Sequence, residues 1–144
     1  MFSDQLQSAL QSARSEAARL RHESIRPEHL ALGLLHEPRP EVSSLLPGER
    51  APTLTAELLK GAGPGAGTER WAFDIPYSES ARAAIKHTVS EARALGHDVV
   101  GCGHLLLGLL QETGSIPRTV FESAGLTATG IRAALGAAGS RGAA

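Results

Sequence analysis

The sequence predicts an all-α fold made from one helical unit used twice, on three observations. The first is a self-match at a fixed offset. Glu28-His29-Leu30-Ala31-Leu32-Gly33-Leu34-Leu35 returns 75 residues later as Gly103-His104-Leu105-Leu106-Leu107-Gly108-Leu109-Leu110. The match runs without a gap from 16–37 onto 91–112, and 11 of the 22 positions are identical, including Glu16/Glu91, Ala17/Ala92, Leu20/Leu95, His22/His97, His29/His104 and Gly33/Gly108. Half identity over a gapless run exceeds what helical composition alone produces, and a fixed-offset repeat marks one structural unit used again. The second observation is periodicity. Leu6, Leu10, Ala13, Ala17 and Leu20, and again Ala81, Ile85, Thr88, Ala92 and Leu95, recur at helical spacing. The third is Gly61-Ala62-Gly63-Pro64-Gly65-Ala66-Gly67, a flexible linker by composition, which separates the two copies.

Helix one starts at Ser3, whose hydroxyl suits the first free backbone N–H groups, with Asp4 at the positive end of the helix dipole. It ends near 21–22. An extended turn leads to Pro27, well placed at a first helical position because its missing N–H is not needed there. Helix two runs from 27 to about 36 and is apolar on most sides, so it is expected to be the buried centre of its repeat. Gly33 within it, like Gly108 in the second copy, costs roughly 1 kcal/mol against alanine. The compensating gain is close approach of another helix backbone. Pro38 and Pro40 stop helix two. Short helices follow at about 40–46, with Val42, Leu45 and Leu46 inward, and at about 53–60, with Leu54, Leu58 and Leu59 inward; Pro47-Gly48 is a turn between them.

After the linker, Trp71, Ala72 and Phe73 are expected to be extended, with the aromatics against the body. A short strand there has no evident partner. Tyr77-Ser78 matches Phe2-Ser3, so Ser78 caps helix five, with Glu79 in its first turn. Gly96 suits a left-handed cap at the end of that helix. Arg21 holds the same place in the first copy, where a left-handed arginine costs roughly 1 kcal/mol or more. Helix one is therefore expected to fray or to end differently. Helices six, seven and eight cover about 102–111, 115–124 and 127–137. The chain thus divides into repeat one (2–60), linker (61–75), repeat two (76–137) and a disordered tail (138–144), within one domain spanning 1–144.

Composition narrows the function classes. The formal net charge is −1, from 14 basic and 15 acidic residues, which gives no electrostatic case for nucleic acid or an anionic membrane. The single cysteine, Cys102, excludes an internal disulfide framework and fits a reducing cytosol. No segment approaches about 18 consecutive apolar residues, and the N-terminus lacks the charged and apolar regions of a signal peptide. A cytoplasmic location is expected. There is no G-x-x-x-x-G-K-[ST] phosphate loop, and the only lysines, Lys60 and Lys86, sit in no such context, so ATP hydrolysis by that mechanism is excluded. No catalytic residue, cofactor or metal is expected.

The residues Glu16-Ala17…Leu20…His22…Glu28-His29-Leu30…Gly33-Leu34-Leu35, and their repeat from Glu91-Ala92 to Gln111-Glu112, resemble the double Clp-N motif at the N-terminus of ClpA/ClpC-type AAA+ unfoldases. Ile75-Pro76-Tyr77-Ser78 is similar to the lead-in of that family's second repeat. The resemblance covers about 2–135. It implies two four-helix repeats around a pseudo-twofold axis, and a non-catalytic module that binds protein substrates or adaptors for an unfoldase–protease machine. The Ala/Gly-rich ending and the departures below favour a free-standing protein, such as a decoy or a ligand-sequestering one, over a piece of an unfoldase.

The resemblance also implies site residues. In ClpC-type relatives the acid before the motif histidine accepts the guanidinium of phosphoarginine on tagged substrates, a charge-assisted fork, while the adjacent helix N-terminus supplies N–H groups to the phosphate. Glu28 matches that acid; Gly103 stands at the second copy and offers backbone only. The threonine usual before the acid is Pro27 in one copy and Cys102 in the other. At most one site survives, in altered form, and the structural alternative for Glu28 is a favourable first-turn acid. Phe2 and Tyr77 match paired aromatics on a surface that relatives use for peptides, adaptors and cyclic peptide antibiotics. Arg82 matches a basic position there, and Lys86 replaces an acid. The alternative for the aromatics is hydrophobic staples closing their helices.

His22/His29 and His97/His104 invite a metal reading, but the H-x₆-H spacing places each pair on two elements without further ligands. Core or capping histidines bonded to a backbone carbonyl are the expected role. Cys102 near His104 lacks an orienting third group and is expected to be a small, partly buried thiol. Competing functions are a small helical DNA-binding protein, with the repeat as two helix-turn-helix units, and a metal-binding protein or small enzyme.

Overall fold

The computed structural model describes residues 1–37, 39–46, 50–65, 67 and 74–143. Among them eight helices follow one another with no strand: α1 (Asp4–Arg19), α2 (Pro27–Leu35), α3 (Pro40–Ser43), α4 (Ala51–Ala62), α5 (Glu79–Ala94), α6 (Cys102–Gln111), α7 (Ile116–Ser123) and α8 (Ala128–Ala143). Ser3 Oγ accepts from Leu6 N at 3.1 Å, and Ser78 Oγ accepts from Ala81 N at 3.1 Å, so the two copies start with the same cap.

The motif helices are the buried pillars. Every residue of α2 from Pro27 to Leu34, and of α6 from Cys102 to Leu110, is buried. Each pillar lies tight against the first helix of its repeat. A Cβ on Gly33 would run into the Ala9 carbonyl oxygen, and one on Gly108 would run into Thr88 Oγ1 and the Ala84 carbonyl oxygen. The two mid-helix glycines thus permit backbone-to-backbone contact of α2 on α1 and of α6 on α5.

The copies are joined by an exchange. Phe2 pairs with Val100 and Ile25 with Tyr77 as isolated parallel bridges. Ser3 N donates to Val100 O at 2.9 Å and Val100 N to Met1 O at 2.8 Å; Ile25 N donates to Pro76 O at 2.8 Å and Ser78 N to Ile25 O at 2.9 Å. Positions 2 and 77 match, as do 25 and 100, so each repeat's lead-in is held by the other repeat's loop. This reciprocity is the pseudo-twofold relation. It continues in the packing of α7 on α2 and of α3 on α6.

Several expectations are corrected. Helix one does not fray: Arg21 adopts φ 60°, close to the 74° of Gly96. In both copies a double hydrogen bond closes the helix: Arg21 N to Ala18 O (3.1 Å) with His22 N to Ala17 O (2.9 Å), and Gly96 N to Arg93 O (2.9 Å) with His97 N to Ala92 O (2.9 Å). The bonds hold the arginine in its strained conformation. The linker starts later than composition predicts, because Gly61 and Ala62 form the last turn of α4 and Gly63 caps it at φ 64°. Gly65 N and Gly67 N then donate to Leu20 O (2.8 Å) and Arg21 O (3.0 Å), seating the linker on the end of α1. α3 is a single turn, shorter than predicted, and α4 begins earlier, at Ala51. α8 continues past 137 to Ala143, through residues assigned to a tail. The extended segment expected at Trp71, Ala72 and Phe73 and the Pro47-Gly48 turn lie outside the described residues.

Candidate functional site

Glu28 occupies the first turn of α2, with Pro27 at its first position and Arg26 as N-cap. The carboxylate is nine-tenths buried, yet among the described residues it accepts no hydrogen bond. Among the described residues it pairs with Arg26, Nε to Oε2 at 3.7 Å. The Arg26 Nε–H is itself buried and, among the described residues, has no hydrogen-bond partner. Both groups line a cleft of about 310 Å³ with Ser78, Ser80, Glu112 and Ser115. Ser78 is the N-cap of α5 and Ser115 that of α7, where its Oγ accepts from Arg118 N at 3.3 Å. The N-termini of three helices, α2, α5 and α7, therefore bound one cleft. Their dipoles favour an anionic group, while Glu28 favours a cationic one. A ligand carrying both charges satisfies the cleft.

The histidine beside Glu28 fixes the local backbone. His29 Nδ1 accepts from Arg26 N at 2.8 Å, which places the ring proton on Nε2, and Nε2 meets His22 Nδ1 at 2.6 Å. The second copy repeats this: Gly101 N donates to His104 Nδ1 at 2.9 Å, and His104 Nε2 meets His97 Nδ1 at 2.8 Å. His29 and His104 thus act as caps that accept from backbone N–H groups, where donation to a carbonyl is expected, and each bonds its partner ring, while His22 also pairs with the Gly63 backbone as expected. The free N–H at each helix start, with the ring facing it, is the physical reason. Burial first, then the neighbouring His22 and Arg26, hold His29 down to about 3. Burial and then Arg26 lower His22, and burial and then His97 lower His104. Among the described residues no group of three potential metal ligands gathers around either pair.

Cys102 is fully buried, beyond the partial burial expected, and burial pushes its thiol up to about 11, the Glu41 charge adding to this. Phe2 and Tyr77 are partly buried against the core, and the Arg14 guanidinium stacks 5.4 Å from the Tyr77 ring centre. Each aromatic is fixed by its bridge to the opposite repeat, and among the described residues the two rings make no contact. Arg82 and Lys86 are exposed on α5.

Sequence reasoning missed Arg26, Ser78 and Ser115 as partners of Glu28. The signal for the serines is their N-cap chemistry, but only the exchange of lead-ins brings them to Glu28. A larger groove of about 620 Å³, lined largely by Leu34, Leu35, Val42, Leu46 and Leu59, opens at the C-terminal end of α2, away from Glu28.

Comparison with known proteins agrees with this architecture. The profile of the Clp repeat (R) N-terminal domain matches residues 1–47 and 76–144, both copies. The chain is 33% identical over 133 residues to the chloroplastic chaperone protein ClpC1 of Oryza sativa subsp. japonica, covering 91% of this chain and 14% of that protein. It is 33% identical over 136 residues to the ATP-dependent Clp protease ATP-binding subunit ClpC of Staphylococcus saprophyticus, covering 92% of this chain and 16% of that protein. The chain spans about a seventh of the length of these relatives. The crystal structure of the N-terminal domain of the chaperone ClpD from Arabidopsis thaliana shares the fold, with a TM-score of 0.67 at 19% identity over 92% of this chain and 90% of that one. With both repeats matched in sequence and their exchange seen in the fold, this chain belongs to the Clp repeat N-terminal domain family.

Proposed function

We propose that this domain is a non-catalytic protein-binding module of Clp-type proteolysis. It recruits protein substrates or adaptors to an unfoldase, or acts free-standing as a decoy or ligand-sequestering protein. One observation carries the reading: Glu28 is buried at the mouth of a cleft, and among the described residues it accepts no hydrogen bond. A carboxylate that faces a cleft without a protein donor is available to a ligand donor that displaces water.

Phosphoarginine on a tagged protein has the matching chemistry. Its guanidinium donates to Glu28, and its phosphate meets the N-terminal ends of α5 and α7 and the charge of Arg26. Pro27 supplies no N–H, so the phosphate relies on those neighbours. Arg26 also competes for Glu28, since its own guanidinium already lies 3.7 Å away. Affinity is therefore expected to be modest. Phe2, Tyr77, Arg82 and Lys86 form a second, peptide- or adaptor-binding surface, in which Lys86 favours acidic ligands, cyclic peptides included. The net charge of −1 speaks against nucleic acid and anionic membrane as partners.

Titration with phosphoarginine, followed by amide NMR, tests the cleft. Shifts are expected at Glu28, His29, Ser78 and Ser115, and Glu28→Ala is expected to weaken binding at least about tenfold, the loss of one charge-assisted bond. No shift at millimolar ligand removes the phosphoarginine reading.

A further inference from the structure

The second copy of the cleft is already filled by the chain itself. Gly103 and Gly101 occupy the positions that Glu28 and Arg26 hold in the first copy. Both residues that line the first cleft are thus reduced to hydrogen in the second. The space is taken from across the pseudo-twofold axis. Glu41, on α3 of repeat one, places Oε1 2.8 Å from Gly103 N and accepts its hydrogen bond. A Cβ on Gly103 would lie 2.6 Å from Leu135 Cδ2 and 2.9 Å from Glu41 Oε1, and a Cβ on Gly101 would lie 2.9 Å from the same oxygen. Glu41 matches Ile116, an uncharged residue that lines the first cleft. The carboxylate therefore sits on a first-turn N–H of α6, where an anionic ligand group would be received, and Leu135 covers the side on which an acid at 103 would project.

We propose that Glu41 is an internal ligand of the α6 N-terminus, which closes the second cleft and sets the ligand valency of the domain at one. The closure stands on the Glu41 and Leu135 geometry alone; the valency of one rests on the Glu28 reading above. The two losses at 101 and 103 and the gain at 41 are then one coupled change. Without the glycines the Glu41 side chain would have no room, and without Glu41 the Gly103 N–H would be left unpaired beneath Leu135.

Two measurements on the intact chain test this. Amide hydrogen exchange at Gly103 is expected to rise roughly tenfold or more in Glu41→Ala, while Glu41→Gln, whose amide oxygen still accepts, retains protection. In the phosphoarginine titration of the unsubstituted protein, the amides of Gly103 and His104 are expected to stay fixed while those of Glu28 and His29 move. Exchange at Gly103 unchanged by Glu41→Ala overturns the proposal, as do ligand-dependent shifts at Gly103 in the unsubstituted protein. Failure of Glu28 to respond strikes the reading of the first cleft and not the closure, which the exchange ratio decides by itself.

Discussion

Gly33 shows how one hydrogen atom fixes a helix pair. The absence of a side chain lets α2 approach α1 until the Cβ position falls on the Ala9 carbonyl oxygen, within 2.8 Å of Ala13 N. Alanine would raise helix propensity by roughly 1 kcal/mol. It would also drive a methyl group into a backbone that cannot step aside. The clash wins: Gly33→Ala is expected to destabilise the domain by a net of about 2 kcal/mol or more, read from the denaturant midpoint. An unchanged midpoint would mean that the pillars are not in backbone contact. Arg21 makes the opposite point. Its left-handed backbone, φ 60°, is imposed by the two hydrogen bonds that close α1, not chosen by its residue type. Sequence reasoning from intrinsic preference therefore expected a frayed or different end. The matched Gly96 held the better clue, because a repeat keeps its geometry where one copy loses the favourable residue.

At the scale of elements, the two histidine pairs are the devices that start α2 and α6, and burial keeps His22, His29 and His104 neutral. His29 is held down to about 3, and His22 and His104 are lowered, burial being the first cause in each. In the unfolded chain these rings titrate near their ordinary value of about 6.5. A depressed folded value means that the unfolded state takes up protons first. Stability is thus fully present above about pH 6.5 and is lost progressively as pH falls from there towards 3, each such ring contributing up to about 1.4 kcal/mol per pH unit. Glu91 is held low by its Arg132 hydrogen bond, so its own loss begins only in the carboxylate range, below the onset for histidine. Urea midpoints are expected to decline between pH 6.5 and 5; a flat profile over that window would contradict neutral His22, His29 and His104. The elements themselves were legible. Ser3, Pro27, Ser78 and the leucine runs gave the starts and the buried faces, because caps and periodicity are local. The company of Glu28 was not. Ser78 and Ser115 lie far along the chain and reach the mouth of α2 only through the exchange of lead-ins. Glu41 carried no local signal, since an acid in the first turn of a short helix reads as ordinary dipole chemistry.

The exchange also decides how the molecule holds together. Each repeat surrenders its lead-in, Phe2 to the Val100 loop and Tyr77 to the Ile25 loop. α7 packs on both α2 and α4, α3 packs on α6, and Glu41 reaches Gly103. Neither pillar can bury its apolar surface within its own repeat, because part of its covering comes from the other. A fragment of roughly 60 residues is already marginal, burying only about 60% of the surface that its unfolded chain exposes. A fragment ending in the linker, residues 1–65, is therefore expected to be largely unfolded on its own by circular dichroism, and so is 74–144. Mixed in equal amounts, the two are expected to recover helicity with a concentration-dependent midpoint, because the bridges and the α7 contacts re-form between chains. Among the described linker residues, Gly65 and Gly67 bond the end of α1. Cooperative melting of either fragment alone, at the midpoint of the whole chain, would show two independent units that merely adjoin. That result would also remove the physical basis of a ligand cleft built from Glu28 of one repeat and the capping serines of the other.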